Sequence, residues 1–343
     1  MKHTLILAVL VMTSILCANN SDYSAPSGSS ASLNLEDMAQ DFVLETKQLE
    51  IPGYPTACNP SIARWGNMLL LSFDAYSGDT TAPDRMGLVW LDDDFNVISA
   101  PRILHIKDTW QDPRLVSIGN RLYVVFNGAL NTTLRRTFIA EVHYDGVHLF
   151  TGAPECLLHF PGERADLGER NWVPFAYFDT LLLTYSVVPH RVLRPLINTQ
   201  TCEDISSTSS PFIWDWGTPR AGTTALLDGD HYLAFFHSSK IMASVHSQGK
   251  PIHHYFMGAY TFDRHPPFAI TAMSPFTIIA ENFYHGPEYR TIKPLLVVFP
   301  CGFIFDAHHI WVVYGKQDHE AWVVKLDKKG LYENLVPVER SVQ

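Results

Sequence analysis

A chain of 343 residues that is 46% hydrophobic and only 17% charged can bury a large core, which excludes an intrinsically disordered protein. Its formal net charge of -10, with no basic stripe, argues against nucleic acid as a partner. Neutral small ligands remain, as do anions met by local basic residues.

Residues 1–18 have the layout of a secretory signal: Lys2 at the start, an apolar core over 5–16, and the small Ala18 where cleavage would fall. The core is too short for a stable membrane span. Cys17 follows Leu16 rather than a small residue, a poor fit to a lipoprotein site. Export, periplasmic or secreted, is the expectation. Residues 19–34 are Ser-rich and are expected to form a flexible leader. Residues 35–343 are expected to form one domain, opening with a short helix or an edge strand over 35–49.

A unit then recurs. Residues 59–64 lead through a turn to an apolar strand over 68–73. The same pattern links 112–116 to 121–126, 171–175 to 181–186, 223–227 to 231–237, and 297–301 to 310–314. Each pairs a short strand with a turn carrying Gly, Asn or Asp and an aromatic-rich strand. Further strand candidates lie at 86–91, 137–143 and 254–262. The units recur at steps of roughly 50 to 75 residues, in the range of propeller blades. With helical periodicity nearly absent and 22 prolines in the chain, this predicts an all-β fold, a five-bladed β-propeller. A pair of β-sandwiches explains the recurrence less well.

Discounting Cys17, the cysteines are Cys58, Cys156, Cys202 and Cys301. They allow two disulfides in three connectivities, or four buried thiols. No Cys-x-x-Cys is present, and the adjacent pairs His253-His254 and His308-His309 have no carboxylate at ligand spacing. No metal and no cofactor is expected. Asn131-Thr132-Thr133 is a glycosylation sequon, meaningful only in a eukaryotic host.

The first strand of each unit starts with polar residues: Asn59, Asp112 with Arg114, Arg170 with Asn171, and Arg220 ahead of Thr223. The second strands end in others: Asp74, Asn127, His237, and the cluster Lys316, Asp318, His319, Glu320. Antiparallel pairing brings the start of one strand to the end of the next, so the two sets should meet at one rim of the central channel. Asp112, held extended before Pro113, is a candidate general acid, or else half of a structural Asp–Arg pair. Arg114, Arg170 and Arg220 have the fork geometry to clamp a phosphate or carboxylate, although any one Arg more often braces the surface. His237 closes a strand, suited either to a ligand or to a core hydrogen bond. Trp172, Trp214, Trp216 and Tyr314 are able to offer faces to sugar rings, while most aromatics must be core.

Asn59-Pro60, Asp112-Pro113-Arg114, Arg170-Asn171-Trp172, Arg220-Ala221-Gly222-Thr223, Phe236-His237-Ser238 and Tyr314-Gly315-Lys316-Gln317-Asp318 occur in the order of the motifs of the family 130 glycoside hydrolases and phosphorylases. The chain resembles that family from about residue 59 to 327. The resemblance implies a five-bladed propeller acting on β-mannosides, with an oligosaccharide or glycan as substrate. It implies Asp112 as proton donor, working in the phosphorylases through a sugar hydroxyl. Asn59 and Asp318 match positions that hold the reacting sugar; beside them Arg114, Asn171, His319 and Glu320 are candidate substrate-binding residues. Arg170, Arg220 and His237 fall near positions that hold inorganic phosphate, the possible co-substrate. Gln111 stands where an acidic residue is usual, Ser238 where Gly is usual, and 317–320 is more polar than the usual Ala-Ala-Asp. Phosphorolysis and hydrolysis both stay open, with Glu169, Asp318 and Glu320 as candidate bases for an inverting hydrolase. A glycan-binding propeller without catalysis, or a sugar transferase, is the alternative.

Overall fold

The computed structural model describes residues 33–75, 85–104, 110–129, 135–157, 171–209, 211–286 and 295–339. The proposed signal, most of the leader, the sequon, Glu169 and Arg170 lie outside them. The described residues are all-β, in a β-propeller arrangement of sheets that are antiparallel apart from the short parallel pairing of Leu295–Leu296 with Ile252–Asp263. Four sheets are regular blades built on four strands in series. The remaining one, centred on His231–Met242 and Ile252–Asp263, is enlarged to seven strands.

The recurring hairpins are the two innermost strands of each sheet. They are Ala57–Trp65 with Met68–Ala75, Trp110–Ile118 with Arg121–Ala129, Val173–Tyr177 with Thr180–Ser186, and Val298–Phe305 with His309–Lys316. In the enlarged sheet the inner position is split between Arg220–Ala221 and Leu226–Asp228. Residues 35–49 hold both expected elements, a 3-10 helix Leu35–Met38 and the strand Val43–Gln48. That strand pairs with Glu320–Asp327 at the outer edge of the last sheet, so the start of the fold closes its end.

Strand alternation explains why these strands read as nearly continuous apolar runs. In His231–Met242, Leu233 and Phe235 pack with Val298, Val312 and Tyr314 of the last sheet. Ala234 and Phe236 pack the other way, with Phe175 and Leu182 of the third. Three further clusters join the last sheet to the first, the first to the second, and the second to the third. Both faces of each central strand are therefore buried between sheets, which removes the polar alternation of a half-exposed strand.

Two early expectations fail here. Asp112 is not extended: its φ is +57°, in the left-handed region. A bulge between Gln111 and Arg114 requires this, overriding the usual bias before proline, and a matching bulge at Cys58/Ser61 puts Asn59 at φ +48°. His237 does not close its strand, which continues to Met242. Cys58, Cys156, Cys202 and Cys301 form no disulfide among the described residues.

Candidate active site

Short polar side chains tolerate left-handed backbone, and here the bulges turn them onto one another. Asn59 Nδ2 donates to Asp112 Oδ1 and to Asp74 Oδ2, both at 3.1 Å. Asn127 Nδ2 donates to Asp112 Oδ2, also at 3.1 Å, and the Asp112 backbone N–H donates to Asp74 Oδ2 at 3.1 Å. The Asp112 carboxylate is thus gripped on both oxygens across the junction of the first two sheets. Asn59, Asp74 and Asn127 are buried, whereas Asp112 keeps partial exposure. Asp74 and Asn127 each lie near the end of a largely apolar second strand, and that was the sequence signal for their part in the site.

Close backbone approach brings the last sheet into this cluster. A Cβ on Gly315 would lie 2.3 Å from Asn59 Oδ1, so only glycine leaves room for the amide. Two residues on, Gln317 and Asp318 both have positive φ, at +55° and +53°. Gln317 accepts from Val297 N–H at 3.0 Å and so pins this turn. Burial, then the charge of Asp112, pushes the Asp318 carboxyl up to about 6, with His319 opposing. Burial and the same Asp112 charge raise Asp74 well above the usual carboxylate range.

The basic residues gather beside it. Arg114 is buried, donates to Gly222 O at 2.5 Å, and lies over the Phe299 ring at 5.1 Å. Arg220 and His237 are register partners, Arg220 exposed and His237 buried against Phe299. Burial, with Arg114 and Arg220 adding to it, pulls His237 down to about 3, so the ring is neutral. Arg114 Nη2 and His237 Nδ1 are buried here with no hydrogen-bond partner among the described residues, and Asn171 Oδ1, just ahead of Val173–Tyr177 in the third sheet, is likewise unpartnered. Unpaired buried polar atoms are costly, and their presence here is what a site awaiting a polar ligand looks like. Arg170 lies outside the described residues.

Not every candidate reaches this cluster. Glu320 accepts from Trp322 Nε1 at 2.6 Å and lies 3.9 Å from the Lys316 ammonium, which itself sits over the Trp322 ring. Its carboxylate is committed within the loop. His319 Nδ1 contacts Gln317 O at 2.9 Å. Tyr314 and Trp172 are buried in core clusters. Trp214 Nε1 donates to Ser238 Oγ, which donates to Trp216 O, so Ser238 ties down the tryptophan loop.

No family model matches the chain, and no curated protein matches it. Solved structures do. A glycosyl hydrolase from Bacteroides ovatus is 13% identical with a TM-score of 0.57, over 91% of this chain and 99% of its own. A mannose phosphorylase from Leishmania mexicana, in complex with phosphate ion, is 10% identical with a TM-score of 0.59, over 89% and 94%. A structure described as the GH130 family of mannoside phosphorylases containing hydrolases of β-1,2 mannosidic linkages in Candida mannan is 13% identical with a TM-score of 0.59, over 87% and 97%. The chain has their fold. No helix among the described residues is long and apolar enough to cross a membrane.

Proposed function

We propose that this protein is a carbohydrate-active enzyme that cleaves or forms mannoside-type glycosidic bonds, in the manner of the glycoside hydrolase family 130 proteins whose fold it shares. What carries the reading is the Asp112 carboxyl, gripped by Asn59 and Asn127, with a second carboxyl, Asp318, near enough for the Asp112 charge to add to the burial that pushes Asp318 up to about 6. Asp112 is the proton donor. The two amides aimed at its oxygens stabilise the carboxylate left when the proton departs. Asn59 and Asp318 hold the reacting sugar, with Asn171 as a further contact.

Phosphate is the co-substrate this site suits. Arg114, Arg220 and, from the motif, Arg170 supply positive charge, and neutral His237 adds a polar contact without a further cation. Hydrolysis is the competing course, favoured by an exported location, with Asp318 as base now that Glu320 is committed to Trp322 and Lys316. The products separate the two. The purified protein should be offered a panel of β-mannosides with and without inorganic phosphate, and free sugar distinguished from sugar 1-phosphate. Phosphate-dependent release of sugar 1-phosphate is expected. Turnover indifferent to phosphate would assign water as nucleophile, and silence across the panel would turn the reading to binding or transfer. Asp112→Asn should lower turnover by at least about a hundredfold while leaving the fold intact, and unchanged turnover would remove Asp112 from the acid's role.

A further inference from the structure

Away from this chemistry, three segments far apart in sequence bring a carboxylate and two imidazoles together. Glu36 lies in the 3-10 helix Leu35–Met38, His246 in the connection after His231–Met242, and His285 in the turn over residues 281–286. One potential ligand atom from each lies within 4.8 Å of the other two. His285 Nε2 is 3.6 Å from Glu36 Oε1, and the two imidazole rings are 5.1 Å apart. We propose that Glu36, His246 and His285 form a zinc site that fastens the start of the folded chain to the enlarged sheet.

The surroundings are those of a held ligand set. Glu36 Oε1 accepts the Asn282 backbone N–H at 3.0 Å. Asn34 Oδ1 lies 3.2 Å from His246 Nε2 and accepts the Glu36 N–H at 3.2 Å, while its amide donates to Asp37 at 2.8 Å. Partners of this kind orient ligands before the ion arrives. Zinc bonds of about 2.0–2.1 Å at tetrahedral angles place ligand atoms roughly 3.3 Å apart. The 3.6 Å separation of Glu36 and His285 is close to that, and the whole set lies within 4.8 Å, so side-chain movement would have to draw the three ligands together around the ion. Two imidazoles with one carboxylate favour zinc over the oxygen-seeking calcium and magnesium. Three protein ligands leave a fourth position for water.

The placement has a consequence for the ring. Glu36 precedes Val43–Gln48, the strand that completes the last sheet, so zinc would couple that strand's docking to the connections of the enlarged sheet. Gly286, next to His285, would place a Cβ only 3.6 Å from Lys316 Nζ, so the site also adjoins the Lys316–Glu320 loop.

The test is calorimetric titration of the metal-stripped full chain with zinc ion, alongside thermal unfolding. One zinc per chain is expected, with a melting temperature raised by about 5 °C at a hundredfold excess over Kd. Magnesium should leave it unchanged. His285→Ala, at an exposed position that should not disturb folding, should weaken zinc at least about tenfold, and His246→Ala with His285→Ala should abolish the stoichiometric site. Failure of the wild type to bind, or unaltered affinity and stoichiometry in His285→Ala, overturns the proposal.

Discussion

Asp318 shows how one residue can record the charge around it. Its carboxyl is pushed from 3.8 to about 6 by burial first and by Asp112 second. The folded chain thus holds this proton more tightly than the unfolded chain, so the contribution to stability is complete below the unfolded value and fades as pH rises through about 6. At roughly 1.4 kcal/mol per tenfold change in affinity, the ceiling on that loss is about 3 kcal/mol. Asp318→Asn keeps the shape and discards the ionisation. Its melting temperature should match wild type near pH 4 and exceed it above about pH 6.5. Parallel curves across that range would mean that Asp318 ionises without penalty and does not face Asp112. The same variant should lose turnover if the side chain holds the sugar, giving the usual exchange of stability for function at a site.

Between elements, the decisive contact is the passage of His309–Lys316 beside Ala57–Trp65. Gly315→Ala would drive a methyl to within 2.3 Å of Asn59 Oδ1. The amide must move, and with it goes the hydrogen bond that holds Asp112. Turnover should fall by roughly tenfold or more, with the loss in kcat rather than in folding yield. Wild-type kinetics in Gly315→Ala would show that Asn59 does not set the position of Asp112. How much of this was legible in the sequence follows from the same elements. The inner hairpins were visible because apolar runs alternate with turn residues, and the meeting of Asn59, Asp74, Asp112 and Asn127 followed from antiparallel pairing alone. The left-handed backbone at Asp112 was not, because the proline rule points the other way and only the bulge reverses it. The split inner strand at Arg220–Ala221 and Leu226–Asp228 gave one hairpin signal where there are two short strands. Glu36, His246 and His285 have no local pattern at all, since tertiary packing alone assembles them.

At the scale of the molecule, the sheets are held by five apolar interfaces, and two of them draw on residues 35–51. Phe42, Leu49 and Ile51 flank or follow the closing strand and are buried, Phe42 in the cluster shared by the enlarged and last sheets. Val43–Gln48 also covers the edge of Glu320–Asp327, which would otherwise present unpaired backbone groups to other chains. Deleting the chain through residue 49 should therefore do more than trim a terminus. It should uncover a strand edge and strip apolar residues from two interfaces together, leaving aggregated protein on size exclusion. Phe42→Ala is the graded version, retaining the strand and removing one buried ring at a cost of about 3–5 kcal/mol, or a drop on the order of 10 °C in melting temperature. Val147→Ala, at a residue 76% exposed, should leave the melting temperature within a degree or two of wild type. If Phe42→Ala proved as silent as Val147→Ala, closure would not limit stability, and the sheets would have to be held by their sequential contacts alone. A drop confined to Phe42→Ala would instead make ring closure the weak point of the fold, the place where a ligand bridging Leu35–Met38 to a later sheet has most to stabilise.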